Sequence, residues 1–289
     1  MQVENPERKF SGASRSGRRL SVLLMKRYRI MREAKLSFDR FPADPESLHL
    51  VRTSIRKLRS VLKFLAPLVP PSDGRMKKFR EELKLSYRAL GETREWDVLR
   101  VQWDLLRHAL PGPWNEEEFP FNPSGDRQRV LSEHPVLEKE IPFDEVIVGI
   151  RNPMHPIRPF VRERLERWDR RIVERMSMWN SLDLAGRHRL RIDVKNLSEV
   201  FDVVGLLWPH RVVPDFRRLL GEARSLLGGI HDRDRAVALL TPFLDSPKPN
   251  LCRAAGMLLG GYILRGKSLE EKFRKVRRRY RALRRPWQS

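Results

Sequence analysis

The chain has 289 residues, 40% of them hydrophobic, enough for a packed core and too many for a basic disordered tail. Lys+Arg 59 against Asp+Glu 37 leaves a net charge of +22, a field that calls for a polyanionic partner: nucleic acid, an anionic membrane surface or a phosphate polymer. One cysteine, Cys252, excludes an intramolecular disulfide and fits a reducing cytosol, the expected location; 256–264 is too short an apolar run to span a bilayer, and the N-terminal residues lack a signal peptide's apolar stretch.

Periodicity predicts helices almost throughout. Residues 1–13 read as a polar tail, and a basic helix over 14–38 ends before Phe41-Pro42. Asp44-Pro45-Glu46 then opens a second helix with an acidic first turn and an early proline, closed by Pro67, Pro70 and Pro71. A third helix is expected over 75–90, a stop at Gly91, and a fourth helix over 96–110. Across 111–157 prolines recur and Glu116, Glu117 and Glu118 form an acidic run; this stretch reads as a linker or insertion, with a solvated acidic loop and a short strand at 141–150. The second half repeats the scheme at 158–182, 184–207, 214–227 and 232–244, with Gly228-Gly229 as its turn, and two helices follow at 251–264 and 269–284. The expected fold is therefore all-α, a tandem duplication with its two helical units over 14–110 and 158–289.

The duplication rests on two strings. HLVRTSIRKLR (49–59) leads to LGETREWDV (90–98), and HRLRIDVKNLS (188–198) leads to LGGIHDRDR (227–235). Each opens His-x-x-Arg-x-x-x-(Arg or Lys)-x-Leu and reaches Leu-Gly-x-x-(Arg or His)-x-x-Asp, with His-to-Gly intervals of 42 (91 − 49) and 40 (228 − 188). At about 100° per residue, His49, Arg52, Arg56, Arg59 and Lys63 fall within an arc of about 80°. Leu48, Val51, Ile55, Leu58, Leu62 and Leu65 occupy the neighbouring arc, so the basic stripe borders an apolar one. A solvated helix face normally mixes signs, because acid–base pairs one turn apart help the helix. No Asp or Glu lies between Glu46 and Asp73, so this stripe is expected to recruit an anion from elsewhere.

Phosphate chains suit such a stripe. They offer only charged oxygens, which arginine forks and lysine ammonium groups grip at regular intervals, and one helical turn advances about 5.4 Å. Binders of single-stranded nucleic acid usually interleave aromatic residues for stacking, and none occurs between Arg52 and Lys63. Nucleic acid, RNA or DNA, bound through phosphates alone stays open as the second reading. A third, a metal-dependent phosphohydrolase using His231 and Asp232, lacks further His and Asp at helical spacing, and His49 and His188 lie on cationic faces. No nucleophile–base–orienter set is visible, so neither catalysis nor a metal or other cofactor is expected. Asp97 and Asp234 are expected to cap helices or pair with arginines, and Cys252 to be buried. In the terminal run 272–285, Phe273, Val276, Tyr280 and Leu283 form a narrow stripe that can dock a helix whose charges stay in water.

These motifs resemble the CHAD family, the conserved histidine α-helical domain, over nearly the whole chain beyond the first dozen residues. The match at His49, Arg52, Arg56, Lys57, Leu58 and Arg59 is complete; Gly91, Arg94 and Asp97 match, with Glu95 where an aspartate is usual. The second string matches at His188, Arg191, Lys195 and Leu197, and His231 and Asp232 resemble the second Leu-Gly turn. It departs at Ser198 and Glu199, where the family favours Arg-Tyr, so the first half is expected to grip more strongly. The resemblance implies two pseudo-symmetric helical bundles with a basic groove between them, whose facing surfaces bind inorganic polyphosphate, in several members at polyphosphate granules. It singles out His49, Arg52, Arg56, Lys57, Arg59, Arg94, His188, Arg191, Lys195 and His231, to which the stripe adds Lys63. The Glu-x-Glu-x-Lys strand of the triphosphate tunnel domain often fused to this family is missing from both halves.

Overall fold

Two aspartates open the two cationic helices in the computed structural model, which describes residues 15–42, 44–70, 74–90, 94–109, 119–121, 142–151, 153 and 155–288, with only the backbone for 94–98. Helix α1 spans Arg15–Arg40 and α2 Pro45–Leu65. Asp44 caps α2 by accepting from the Ser47 amide at 2.8 Å and the Glu46 amide at 3.2 Å. Helix α3 covers Gly74–Ala89 and α4 Arg94–Ala109; the short α5 and α6 are Phe143–Val146 and Val148–Arg151. Helix α7 is Ile157–Ser177, and α8, Leu184–Val204, is capped by Asp183 accepting from the Gly186 amide at 2.6 Å. Helices α9, Val213–Leu240, and α10, Pro249–Ala282, complete the chain.

The duplication is kept residue by residue. Both cationic helices end in one 3-10 turn, Ala66–Leu68 and Gly205–Leu207. Caps, histidines, these turns and the starts of the next helices are each 139 residues apart (183 − 44, 188 − 49, 205 − 66, 213 − 74). The predicted apolar arc is the buried one: Leu48, Val51, Ile55, Leu58, Leu62 and Leu65 all lie in the core. That core is continuous across both halves, running from Phe64 and Phe79 through Leu165 and Leu197 to Phe216. Helix α4 joins a second core instead, where Leu99 and Trp103 pack with Leu240, Leu258 and Phe121.

Three expectations are corrected. The stretch 141–150 carries no strand over its described part, 142–150; Phe143, Val146, Ile147 and Ile150 recur at helical spacing and are all buried by α5 and α6. The Gly228-Gly229 turn is absent, because α9 runs straight through both glycines. Helices expected at 251–264 and 269–284 are one, the 34-residue α10. Helix contact explains both continuities. A Cβ on Gly229 would stand 2.8 Å from Leu269 Cδ1, and one on Gly266 would stand 2.6 Å from Arg233 Cδ. These glycines let α9 and α10 approach closely, and close approach reads in a sequence much as a turn does. The stop expected at Gly91, the tail and the acidic run at 116–118 lie outside the described residues.

The C-terminal helix docks through its stripe, with Phe273, Val276 and Tyr280 buried, but the charges of 272–285 do not all stay in water, since Arg285 is buried. Its end is fastened by a buried polar network. Tyr280 donates to Asp169 Oδ1 at 2.6 Å, Arg285 Nε donates to Asp169 Oδ2 at 2.7 Å, and Arg285 Nη1 donates to the Tyr280 carbonyl at 2.8 Å. Burial, with the Asp169 carboxylate beside it, pushes the Tyr280 hydroxyl well above its ordinary value. Asp169→Ala strands a buried guanidinium and should cost about 3–5 kcal/mol in urea unfolding. Asp169→Asn keeps an acceptor for Tyr280 and should cost less. Equal losses from the two would show that packing, rather than charge, holds this end.

Candidate functional site

Helices α2 and α8 lie against each other, and a buried carboxylate fixes their register. Glu199 is fully buried, accepting from Arg56 Nε at 2.8 Å and from Ser60 Oγ at 2.7 Å; Ser60 Oγ also lies 3.3 Å from Asn196 Oδ1. The repeat equates Ser60 with Glu199, Arg56 with Lys195 and Arg52 with Arg191. Each set is spaced by four, so each occupies one face of its helix. Lys195 has Arg56 and Arg52 of α2 and Arg191 of its own helix as charged neighbours, and Arg191 has Arg56. Arg52, Arg56, Arg191 and Lys195 form one cluster, with Glu199 as a carboxylate inside it.

The cluster is short of negative charge. Lys195, half-buried, is pushed down to about 7 by burial first, then by Arg56, Arg191 and Arg52 against the opposing pull of Glu199. Arg191 is lowered from its ordinary value, again chiefly by burial, with Asp232 acting against the shift. Arg52 lies over the Tyr87 ring at 4.4 Å and donates to the Tyr87 carbonyl and hydroxyl, each at 3.4 Å; Arg59 lies 5.2 Å from the same ring. Beyond Arg191, His188 and His231 face each other with their Nδ1 atoms 3.4 Å apart. Burial and the nearby Arg191 lower His231 to about 4, and His188 is lowered by burial, Arg191, Lys195 and Arg235. Both shifts favour the neutral imidazole. The two histidines line a cleft of about 470 Å³ floored by Leu227 and Ile230 and edged by Arg187 and Arg235.

Not every residue singled out in the sequence joins this cluster. Lys57 stands at the edge of the cluster: its amine is lowered by burial, then by Arg27 of α1, Arg56 and Arg224 of α9, with Glu199 acting against the shift. Arg59 looks to α3, near Arg80 and Arg88. Lys63 is exposed at the far end of α2, and His49 is half-buried near its start. Arg94 opens α4, and its side chain lies outside the described residues.

Other expectations change. The stripe on α2 does have a protein carboxylate, supplied by α8 rather than by its own helix. Ser198 is buried, whereas its counterpart in the first repeat, Arg59, is half-buried over the Tyr87 ring. Tyr87 supplies the aromatic ring that α2 lacks. Its sequence signal is slight: it stands one residue beyond the buried stripe Met76, Phe79, Leu83 and Ser86 of α3. Asp234 caps no helix, since α9 is continuous; it accepts two bonds from Arg233, at 2.9 and 2.7 Å. Cys252 is half-buried, its thiol donating to the Leu244 carbonyl at 2.9 Å. Among the described residues no group of three or more His, Cys, Asp or Glu side chains could hold a metal ion, and no helix is long and apolar enough to cross a membrane.

Fold and cluster together define an all-helical duplicated protein whose two repeats meet along their cationic helices. Its sequence matches the CHAD domain over residues 33–132 and 126–241, and the chain belongs to that family. The crystal structure of the CHAD domain from the plant Ricinus communis is similar over 95% of this chain and 94% of that one, with a TM-score of 0.63. At 18% identity that likeness is one of fold. No curated protein matches the chain.

Proposed function

We propose that the protein binds inorganic polyphosphate without catalysing a reaction, the polymer lying in a basic groove along α2 and α8. The observation that carries this reading is the convergence of Arg52, Arg56 and Arg191 on Lys195, beside the buried Glu199. Four basic side chains at one helix crossing, with the Lys195 amine pushed down to about 7, favour an anion that brings several charges at once. A phosphate chain does so at each residue and needs no base-reading contacts. The reading includes a cytoplasmic protein that associates with polyphosphate granules. Competition between long polyphosphate and RNA of equal charge tests it. Polyphosphate is expected to displace RNA at far lower concentration, and the reverse order would assign the surface to nucleic acid.

A pH dependence follows. Lys195 faces Arg191 and Glu199 on its own helix and Arg52 and Arg56 on α2, with His231 and His188 beyond. A bound phosphate favours the ammonium form and raises the amine, so binding takes up a proton. Affinity should be strongest below pH 7 and weaken as pH rises through it, by about tenfold between pH 6 and pH 8. The internal phosphates of a long polymer do not titrate in this range. Lys195→Arg keeps the charge and should flatten the profile in calorimetry, while persistence of the full slope would assign the proton to another group.

A further inference from the structure

Lys195 has a second chemical capacity. A lysine is a nucleophile only as the free amine, and desolvation beside other cations is one way proteins produce it near neutral pH. Lys195 stands one turn from Glu199, whose bonds to Arg56 and Ser60 fix the register with α2. The amine has Arg56 and Arg52 of α2 as charged neighbours and Arg191 one turn away, and it is half-buried yet reachable from solvent. Guanidiniums that hold phosphate beside an amine favour one kind of reagent, an electrophile that carries its own phosphate.

We propose that Lys195 is a modification site for acyl phosphates, its amine taking the acyl group while Arg52, Arg56 and Arg191 hold the phosphate. The amine nitrogen attacks the acyl carbon and forms an amide bond. The carbon–oxygen bond to phosphate breaks, inorganic phosphate leaves on the arginines, and the proton lost by nitrogen goes to that phosphate. No oxidant, metal or further reactant is needed. The arginines act twice, orienting the reagent and stabilising the leaving dianion. Acylation removes one cation from the cluster, so it lowers affinity for a polyanion at the same place. The proposal rests on the polyphosphate reading for its claim that these arginines grip phosphate.

Acetyl phosphate is the probe, acetic anhydride the control without a phosphate, and peptide mass spectrometry of the full chain the readout. Burial and the adjacent Arg56 bring Lys195 to about 7, which leaves most of its amine free at pH 7.5. Weaker basicity offsets part of that gain, and about tenfold more labelling by acetyl phosphate is expected at Lys195 than at the exposed Lys77, Lys78 and Lys267. The preference should exceed that seen with anhydride. Arg52→Gln with Arg191→Gln should bring the two reagents to the same preference, which corrects for any change in the amine itself. Equal preferences in the parent chain, or labelling no greater than at Lys77, would overturn the proposal. Calorimetry with long polyphosphate on the same sample separates the two ideas. Polymer binding without selective labelling sinks this proposal alone, and selective labelling without polymer binding supports it while sinking the polyphosphate reading.

Discussion

Raising the salt concentration fourfold should weaken polyphosphate binding by roughly a thousandfold. Each neutralised phosphate releases part of a counterion, so log affinity falls linearly with log salt at about −0.7 per contact for a single chain. The cluster Arg52, Arg56, Arg191 and Lys195, extended by Arg59, Lys63 and Arg235, offers about seven contacts, hence a slope near −5. Removing two of them, as in Arg52→Ala with Arg191→Ala, should reduce the slope by about 1.4 as well as the affinity. The paired slopes matter more than either affinity, because a variant that merely loosens the fold loses affinity at every salt concentration with its slope unchanged. Titrations at four salt concentrations, with circular dichroism as the control for folding, measure both. An affinity flat across that range would mean that hydrogen bonds and shape, rather than charge, hold the ligand.

The parts of this molecule readable from its sequence are those written in local repetition. The capping aspartates, the proline-opened α2, the buried arc from Leu48 to Leu65 and the docking stripe Phe273, Val276 and Tyr280 each sit within a few turns of one helix. Periodicity and cap chemistry reach that far. The misreadings concern contacts between helices distant in sequence. Gly229 and Gly266 look like turn residues, and only the approach of Leu269 and Arg233 reveals them as packing positions. Likewise Tyr87 stacks on Arg52 from 35 residues away, and Glu199 meets Arg56 from 143 residues away. The duplication held the means to find Glu199. Aligning the repeats places it opposite Ser60, and two pseudo-equivalent residues can touch where a pseudo-twofold axis passes between their helices. A charged residue that replaces a small polar one at such a position has its partner on the other repeat.

That placement sets the last expectation. Glu199→Ala should destabilise the protein by about 3–5 kcal/mol, since it leaves Arg56 and Lys195 at a buried crossing without their carboxylate. For a chain of this size that is a fall in Tm of about 5–8 °C. Glu199→Gln keeps one acceptor oxygen for Arg56, and its amide can donate to Ser60 Oγ, so it should lose less than Glu199→Ala. Glu199→Leu combined with Arg56→Met removes both partners and should recover much of the loss, as buried ion pairs replaced together by apolar residues commonly do. Function then reads out on stability. A ligand stabilises the folded state in proportion to how far its concentration exceeds its dissociation constant. A polyanion supplies the negative charge that Glu199→Ala lacks, so saturating polyphosphate should raise the Tm of this variant more than that of the parent. A gain no larger than the parent's would mean that the polymer never reaches Arg56 and Lys195, and that the binding surface lies farther out, toward Arg59 and Lys63.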